Sequence, residues 1–295
     1  MSMTEDKSQV TNVSRDPAIN EMLGVAQQEG ITTVWDRYKS QTPQCKFGAT
    51  GVCCRLCHMG PCRITAKAPK GICGADVDTI VARNLLREIA AGTSAHSDHG
   101  RMLVKTLRLV AQGKGGSYKI TDPTRLHEVA EFFEINTDDR DDLAIAGDLA
   151  DFFMKQFSYS DEPNATLKMA PEKRQALWEK LGIAPHGVDS GVVEVMHRTH
   201  MGVDHDYRHL IMGGLKCSLA DGWVGSIIAT AVSDILFGTP IPLRSKVNLG
   251  VISAEKVNII VHGHEPTLSE MLAVASRDPE LLAYAKEKGA TGINI

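Results

Sequence analysis

The sequence predicts a mixed fold, in which a cysteine-rich loop and a helical domain precede the start of a parallel α/β domain. Three observations predict it. Six of the seven cysteines are crowded between Cys45 and Cys73. Apolar residues then recur at three- and four-residue spacing over residues 76–237. A strand–helix–strand pattern follows after about residue 245.

Composition is that of an ordinary globular protein and excludes several function classes. The 295 residues are 43% hydrophobic and 23% charged, and the net charge of -4 gives no electrostatic footprint for nucleic acid or an anionic membrane. No apolar run approaches the roughly 20 residues of a spanning helix, and the polar N-terminus lacks an export signal. We expect no transmembrane segment, a cytoplasmic location and reduced cysteines, which favours metal ligation over disulfides.

The first segment, residues 1–42, has the pattern of a polar leader followed by a helix. Residues 17–40 carry helical periodicity that is interrupted near Gly30. The next segment, 43–75, is too rich in glycine and proline for long regular structure. It is therefore expected to be a loop that wraps around a bound group, which takes the place of an apolar core.

A helical domain is expected over residues 76–245. Two helices are predicted between 76 and 112, with a break in the small and polar stretch AAGTSAHSDHG. Three further amphipathic helices are predicted at residues 124–135, 140–158 and 171–182. The segment 188–237 is also mostly helical, and its Gly213–Gly214 pair is expected to interrupt it.

The last segment, 246–295, is expected to open a parallel sheet. VNIIVHGHEP has the pattern of a buried strand ending in a turn, TLSEMLAVASRDPELLAYAKEKG is helical, and ATGINI begins a second strand. A strand, helix and strand at this spacing form a βαβ unit. The segment therefore reads as the start of a Rossmann-like domain.

The cysteines divide into a set of four and a pair. Thiolates are the ligands of iron–sulfur clusters, and one cubane needs four of them. The spacing assigns one cluster to Cys54, Cys57, Cys62 and Cys73. Because neighbouring side chains in extended backbone point apart, Cys53 cannot readily join Cys54, and it remains with Cys45. Two copies of that pair would complete a second cluster on the axis of a homodimer.

Two other uses of the cysteines stay open on spacing alone. Structural zinc would take four thiolates, or three with a histidine such as His58, but would leave the spare pair unexplained. A disulfide framework is disfavoured by the length of the chain and by the reducing compartment.

The chain resembles the nickel-dependent carbon monoxide dehydrogenases of anaerobes over nearly all of its length. The resemblance is carried by TVWDRY, PQC-x7-CCRLC-x4-C, GICGA, VARNL, AAGTSAHSDHG, MHRTHMG, GGLKCSLADGW, DILFGTP, NLGV, VHGHEP-x-LSEM and GATGINI. It implies a homodimer, cytoplasmic or peripheral at the inner membrane, that oxidises CO with water to CO2 at a nickel–iron–sulfur cluster.

The same resemblance implies how electrons leave. They would pass through a [4Fe–4S] cluster within each subunit, held by the set of four cysteines. A shared cluster at the dimer interface, either [4Fe–4S] or [2Fe–2S], would take its ligands from Cys45 and Cys53 of each subunit. The acceptor would be a ferredoxin-type protein.

Histidines are implied at the active cluster. The family pattern through HGHEP favours His264, rather than His262, as a ligand of iron, and the end of a sheet strand is where open α/β folds place their sites. His96 resembles the family's general acid or base, and His99, three residues later, would begin a proton path. Met102 and Lys105 occupy the next positions on that face, so proton exit is expected to be short or routed through water.

Three further histidines and the seventh cysteine are expected to have no metal-binding role. His197, His200 and His205 read as a packed polar face, and Cys217 as a small buried side chain.

The resemblance also places most nickel-cluster ligands, and a catalytic lysine, beyond residue 295. Two alternatives to the dehydrogenase therefore remain. One is a dimeric iron–sulfur electron-transfer module without catalysis. The other is a hydroxylamine-reducing relative of the hybrid-cluster family.

Overall fold

The computed structural model describes residues 13–158, 160–242, 244, 251–262 and 266–295. It divides into two compact units, Met1–Cys53 and Cys54–Ile295. Both are built mainly of helices, and the strands in the described residues are short. The predicted division into segments 1–42, 43–75, 76–245 and 246–295 stays a prediction.

The described residues of the N-terminal unit form three helices, and the two longer ones confirm the predicted helical stretch. They are α1 (Pro17–Gln28), α2 (Val34–Ser40) and α3 (Lys46–Ala49). Gly30, at a φ of 70°, lies in the interruption between the first two, as expected. Helix α2 begins in a capping box, because the Thr33 side chain accepts from the Asp36 amide and the Asp36 carboxylate accepts from the Thr33 amide.

The short strand β1 (Cys53–Cys54) ends at the first residue of the second unit, which is dominated by helices. Its early elements are the strand β2 (Cys62–Arg63) and the helices α4 (Val77–Ala111), α5 (Pro123–Phe132), α6 (Asp142–Phe157) and α7 (Glu172–Lys180), with a 3₁₀ turn at Ala165–Met169. Then follow α8 (Val188–Arg198), α9 (Tyr207–Ala220), a π-helical turn at Asp221–Ser226, and α10 (Ile227–Phe237). The helices predicted at 124–135, 140–158 and 171–182 are present to within a few residues.

Helix α4 is one continuous helix of 35 residues, so the predicted break in AAGTSAHSDHG is wrong. The small residues of that stretch allow other segments to pack against α4, and they do not end the helix. Thr93 is buried, the Ser94 hydroxyl donates to the Ala90 carbonyl within the helix, and Gly100 lies against a neighbouring backbone. Small side chains let other helices approach closely, and that tertiary contact outweighs their low helix propensity.

The core of the second unit surrounds α4, which packs against α6, α8, α9 and α10. Its largest apolar cluster includes Leu103, Leu107, Leu149, Phe153 and Ile228, all fully buried. Because α4 is the shared partner, residues along it meet side chains from distant parts of the sequence.

The predicted interruption at Gly213–Gly214 is also wrong, since both residues lie inside α9. A Cβ atom on Gly214 would lie 3.1 Å from Leu86 Cδ1, and one on Gly213 would lie 3.1 Å from Arg198 Nη1. The two glycines therefore allow α9 to approach its neighbours. The irregular positions are instead the segment 199–206 before α9 and the π-helical turn after it.

The C-terminal strands form the parallel pair expected from the sequence. Strands β3 (Val257–Asn258) and β4 (Ile293–Asn294) pair in parallel. Two helices connect them, α11 (Pro266–Ala275) and α12 (Pro279–Glu287), where one was predicted. The break has a local cause, because the Asp278 carboxylate accepts from the amides that open α12.

One helical stretch in the described residues, Tyr207–Phe237, is long and apolar enough to cross a membrane by length and composition. Half of its most apolar window is buried inside the protein. It consists of α9, the π-helical turn and α10, which pack on α4, so it has the character of a core helix.

Candidate metal centre

Four cysteines of the second unit line one pocket. They are the set that spacing assigned to a single cluster, Cys54, Cys57, Cys62 and Cys73. The rest of the lining is backbone and apolar side chain, with a single charged residue, Arg83. Four thiols around one pocket, with no carboxylate in its lining, match the donor set of an iron–sulfur cubane.

Glycines allow the loop to close tightly around this pocket. A Cβ on Gly60 would lie 3.0 Å from the Cys62 amide nitrogen and 3.2 Å from the Cys54 carbonyl oxygen. Gly71 lies beside the Cys62 sulfur, and its amide donates to the Ala75 carbonyl just before α4. The Ile72 amide donates to Cys62 Sγ at 3.5 Å. Amides directed at sulfur stabilise thiolates and cluster ligands alike.

Arg83 supplies a buried positive charge to the pocket. Its side chain is 1% exposed, with one Nη atom 3.7 Å from Cys73 Sγ and the other donating to the Asp204 carbonyl at 2.7 Å. Its Nε atom is buried and has no hydrogen-bond partner. A buried cation needs negative charge nearby. A cluster held by four thiolates would supply that charge, so the pocket fits such a group.

Two of the thiols have shifted pKa values in opposite directions. Burial raises the pKa of Cys54, and the Leu56 amide only partly offsets it. Burial also acts to raise the pKa of Cys73, but the Ala75 amide and the Arg83 guanidinium outweigh it and hold the pKa below its ordinary value. The thiolate form, which would be the ligand of iron, is therefore favoured at the Arg83 side of the pocket.

The arrangement favours a cluster over a single zinc ion. Among the described residues, no three His, Cys, Asp or Glu side chains converge closely enough to hold one metal ion. His58, the histidine considered for zinc, is not in the four-cysteine lining and belongs to a neighbouring surface groove with His200.

The predicted pair, Cys45 and Cys53, lies in the N-terminal unit. Cys45 is exposed and precedes α3, and Cys53 is half-buried in extended backbone at the end of the unit. In such backbone, successive side chains point to opposite faces. Cys45 and Cys53 are absent from the lining of the four-cysteine pocket.

The histidine assigned to proton transfer has a carboxylate partner that sequence reasoning missed. His96 lies in the middle of α4, and its Nδ1 atom is 2.7 Å from Oδ1 of Asp221, the first residue of the π-helical turn. The side chains are 42% and 28% exposed, so the pair is open to solvent. An ionised carboxylate can only accept, which places the Nδ1 proton on His96.

His99 follows on the same helix and is half-buried. Met102, one turn further, is 50% exposed, and Lys105 is exposed as well. This face of α4 therefore reaches the surface of the described structure just after His99.

The remaining predicted residues are placed as follows. His197 and His200 line different surface grooves, and their lack of a metal-binding role stays a prediction. Cys217 is 1% exposed, which confirms a buried side chain, and burial raises its pKa. His262 is exposed. His264 lies outside the described residues.

Comparisons with known proteins give the family. A family model for the Prismane/CO dehydrogenase family matches residues 52–295. The chain is 54% identical over 285 residues to carbon monoxide dehydrogenase 1 of Methanosarcina mazei, with 96% of this chain and 45% of that protein covered. It is 45% identical over 292 residues to the carbon monoxide dehydrogenase of Rhodospirillum rubrum, again covering 96% of this chain and 45% of that protein.

Comparison with solved structures points to the same family. A Ni-free carbon monoxide dehydrogenase from Thermococcus sp. AM4 superposes with a TM-score of 0.91 at 48% identity, covering 98% of this chain and 46% of that chain. Carbon monoxide dehydrogenase IV from Carboxydothermus hydrogenoformans gives 0.87 at 42% identity, over 96% of this chain and 45% of that chain. The chain spans less than half the length of these relatives. It belongs to the Prismane/CO dehydrogenase family.

Proposed function

We propose that this chain is the N-terminal part of the catalytic subunit of a nickel-dependent carbon monoxide dehydrogenase, which oxidises CO with water to CO2. The observation that carries the proposal is the four-cysteine pocket with a buried Arg83. The relatives that share this chain over almost its full length are named carbon monoxide dehydrogenases. Their activity belongs to proteins about twice as long, so the activity of the whole protein is part of the proposal.

The cysteines form the route by which electrons leave. Cys54, Cys57, Cys62 and Cys73 hold a [4Fe–4S] cluster in each subunit. Cys45 and Cys53, with the same pair from a second copy, hold a shared [4Fe–4S] or [2Fe–2S] cluster in a homodimer. The pocket lining supports this division, because it includes Cys54, Cys57, Cys62 and Cys73, whereas Cys53 immediately precedes Cys54 in extended backbone. A ferredoxin-type protein in the cytoplasm takes the electrons.

The reaction belongs to a nickel–iron–sulfur cluster, for which His264 is one ligand. Such a cluster supplies a metal to bind CO and a Lewis acid that lowers the pKa of water. The parallel strands β3 and β4 support a Rossmann-like domain, whose strand ends are suited to carry such ligands.

His96 moves the protons that the reaction releases. Asp221 holds the Nδ1 proton of His96, so Nε2 is the atom that accepts a proton. His99, three residues along the same helix, is the next carrier. The exposure of Met102 and Lys105 supports a short route from His99 to solvent.

The test is metal content and activity of the complete protein, purified without oxygen. Nickel and iron together with CO-dependent reduction of a viologen dye would support the proposal. Iron without nickel and without CO oxidation would instead indicate an electron-transfer module. Hydroxylamine reduction without CO oxidation would indicate the hybrid-cluster function.

A pair of variants tests the ligand. His264→Ala should abolish CO oxidation while the EPR signals of the other clusters remain. His262→Ala, two residues earlier in the same HGH sequence, should keep activity. If the two variants behave alike, His264 is not the ligand.

A further inference from the structure

The π-helical turn that carries Asp221 lies directly against the part of α4 that carries His96. A Cβ atom on Gly225 would lie 3.7 Å from the His96 carbonyl carbon and from the Ser97 amide nitrogen. A Cβ on Gly100 would lie 3.0 Å from the Gly225 carbonyl oxygen and 3.3 Å from Phe157 Cζ. Backbone thus meets backbone within one turn of His96. The contact at Gly100 is too tight for a Cβ atom without a shift of the turn, whereas a Cβ on Gly225 would make only ordinary van der Waals contacts.

A second contact to the turn comes from the 3₁₀ turn at Ala165–Met169. The hydroxyl of Thr166, which is fully buried, lies 2.6 Å from the Trp223 carbonyl oxygen. It also lies 2.8 Å from Asn164 Oδ1, and its single proton can serve one acceptor at a time. Asn164 Oδ1 also accepts from the Thr166 amide, so it keeps a donor when the hydroxyl donates to the carbonyl in the turn.

This second contact matters because of the geometry of a π-helix. An i→i+5 turn shifts the hydrogen-bond ladder of an α-helix, and backbone groups at such a turn need other partners. Leaving a carbonyl without a hydrogen-bond partner away from water is unfavourable. A hydroxyl aimed at Trp223 from another segment therefore stabilises the turn in this form.

We infer that Gly100, through its contact with the Gly225 carbonyl, and Thr166 are positioning residues that set the distance between His96 and Asp221. The glycine contact limits how near the turn and α4 can lie, and the Thr166 hydroxyl keeps the π form. Together they present Asp221 to Nδ1 of His96. The consequence for catalysis rests on the proposed role of His96 in proton transfer, whereas the geometric claim stands on these contacts alone.

The experiment compares one substitution at two glycines of the same helix. Gly100→Ala introduces a methyl group against the Gly225 carbonyl, whereas Gly92→Ala meets nothing within 4 Å. Both changes raise helix propensity equally, so their difference isolates the contact. Crystal structures of both variants in the complete protein, prepared without nickel, should show the His96–Asp221 hydrogen bond lengthened in Gly100→Ala and kept in Gly92→Ala. An unchanged hydrogen bond in Gly100→Ala would overturn the inference.

The threonine is tested with its own matched pair. Thr166→Val removes the hydroxyl at similar volume, and Thr166→Ser restores it. The valine variant should lose the π-helical turn or the His96–Asp221 contact, and the serine variant should keep both. If valine keeps both, Thr166 has no positioning role.

Kinetics separate this inference from the proposed function. With all metals loaded, Gly100→Ala should lower kcat for CO oxidation by roughly tenfold, a fraction of what general acid–base catalysis contributes. KM for CO should not change, and the solvent deuterium isotope effect should rise. A lengthened hydrogen bond with unchanged kcat would support the positioning inference and overturn the proton role of His96.

Discussion

The Nδ1 atom of His96 lies 2.7 Å from Oδ1 of Asp221, although the two residues are 125 positions apart in the sequence. One lies in the middle of the longest helix and the other opens the π-helical turn. A carboxylate at this distance orients the imidazole and selects its tautomer. In this tautomer, Nε2 is the nitrogen through which His96 would accept a proton.

Replacing Asp221 with asparagine should impair proton transfer and leave the metals in place. An amide preserves size but can present an N–H to Nδ1, which favours the opposite tautomer. We expect kcat for CO oxidation to fall roughly 100-fold, within the range of general acid–base effects. Nickel and iron contents, measured by elemental analysis, should match the parent protein.

The chain offers a matched control for that change. His127 Nε2 lies 2.8 Å from Asp142 Oδ1, a similar pair between α5 and α6. Asp142→Asn should leave kcat unchanged. Equal losses in the two variants would mean that a general loss of structure, and not the tautomer of His96, explains the effect.

Replacing Cys57 with serine should remove the cluster of the four-cysteine pocket. Serine is a poor ligand for the soft iron–sulfur core. We expect a loss of about four iron atoms per subunit, with a matching loss of EPR signal from the reduced protein. Cys217→Ser is the control, because Cys217 is buried beside Thr93 and does not line the pocket. A full iron content in the Cys57 variant would contradict the ligand assignment.

Removing the charge of Arg83 should lower the reduction potential of that cluster. Reduction adds negative charge, and a nearby guanidinium stabilises the reduced state. At an effective dielectric of about 20 and a separation of roughly 7 Å, a unit charge contributes about 2.4 kcal/mol, or about 100 mV for one electron. Arg83→Met should shift the potential downward by about this amount in an EPR redox titration.

Two variants separate the charge of Arg83 from other effects. Arg83→Lys retains a cation and should shift the potential much less. Arg87→Met removes a cation one turn further along α4 that bonds Thr199 and does not line the pocket. It should leave the potential near that of the parent protein. If Arg87→Met lowered the reduction potential as much as Arg83→Met, the shift would reflect the overall positive charge of the protein and not the position of Arg83 at the pocket.

Replacing Gly214 with valine should destabilise the second unit. The new side chain would enter the space occupied by Leu86 and Ile89 of α4. Overpacking of this kind costs about 1 to 3 kcal/mol. Gly92→Val makes the same change at an exposed helix position with nothing within 4 Å, so it carries the helix-propensity effect without the overpacking. Urea unfolding of both variants measures the difference, and equal stabilities would contradict the packing role of Gly214.

The helices were predictable where one local rule decided them. Proline and the Asp122 side chain begin α5, and the capping box at Thr33 begins α2, so their positions follow from neighbouring residues. Prediction failed at the glycine- and serine-rich positions of α4 and α9. There, a residue that weakens an isolated helix permits close packing of two helices, and sequence spacing does not reveal a partner more than a hundred residues away.

The sequence by itself was enough to predict a division of the cysteines, because ligand count and the alternation of extended backbone are local properties. The structure then brought Cys54, Cys57, Cys62 and Cys73 to one pocket, as that division required. Only the tertiary structure decided that Arg83 faces those thiols and that Asp221 meets His96. Both depend on how helices pack around α4, and such packing is a property of the whole chain rather than of any segment of it.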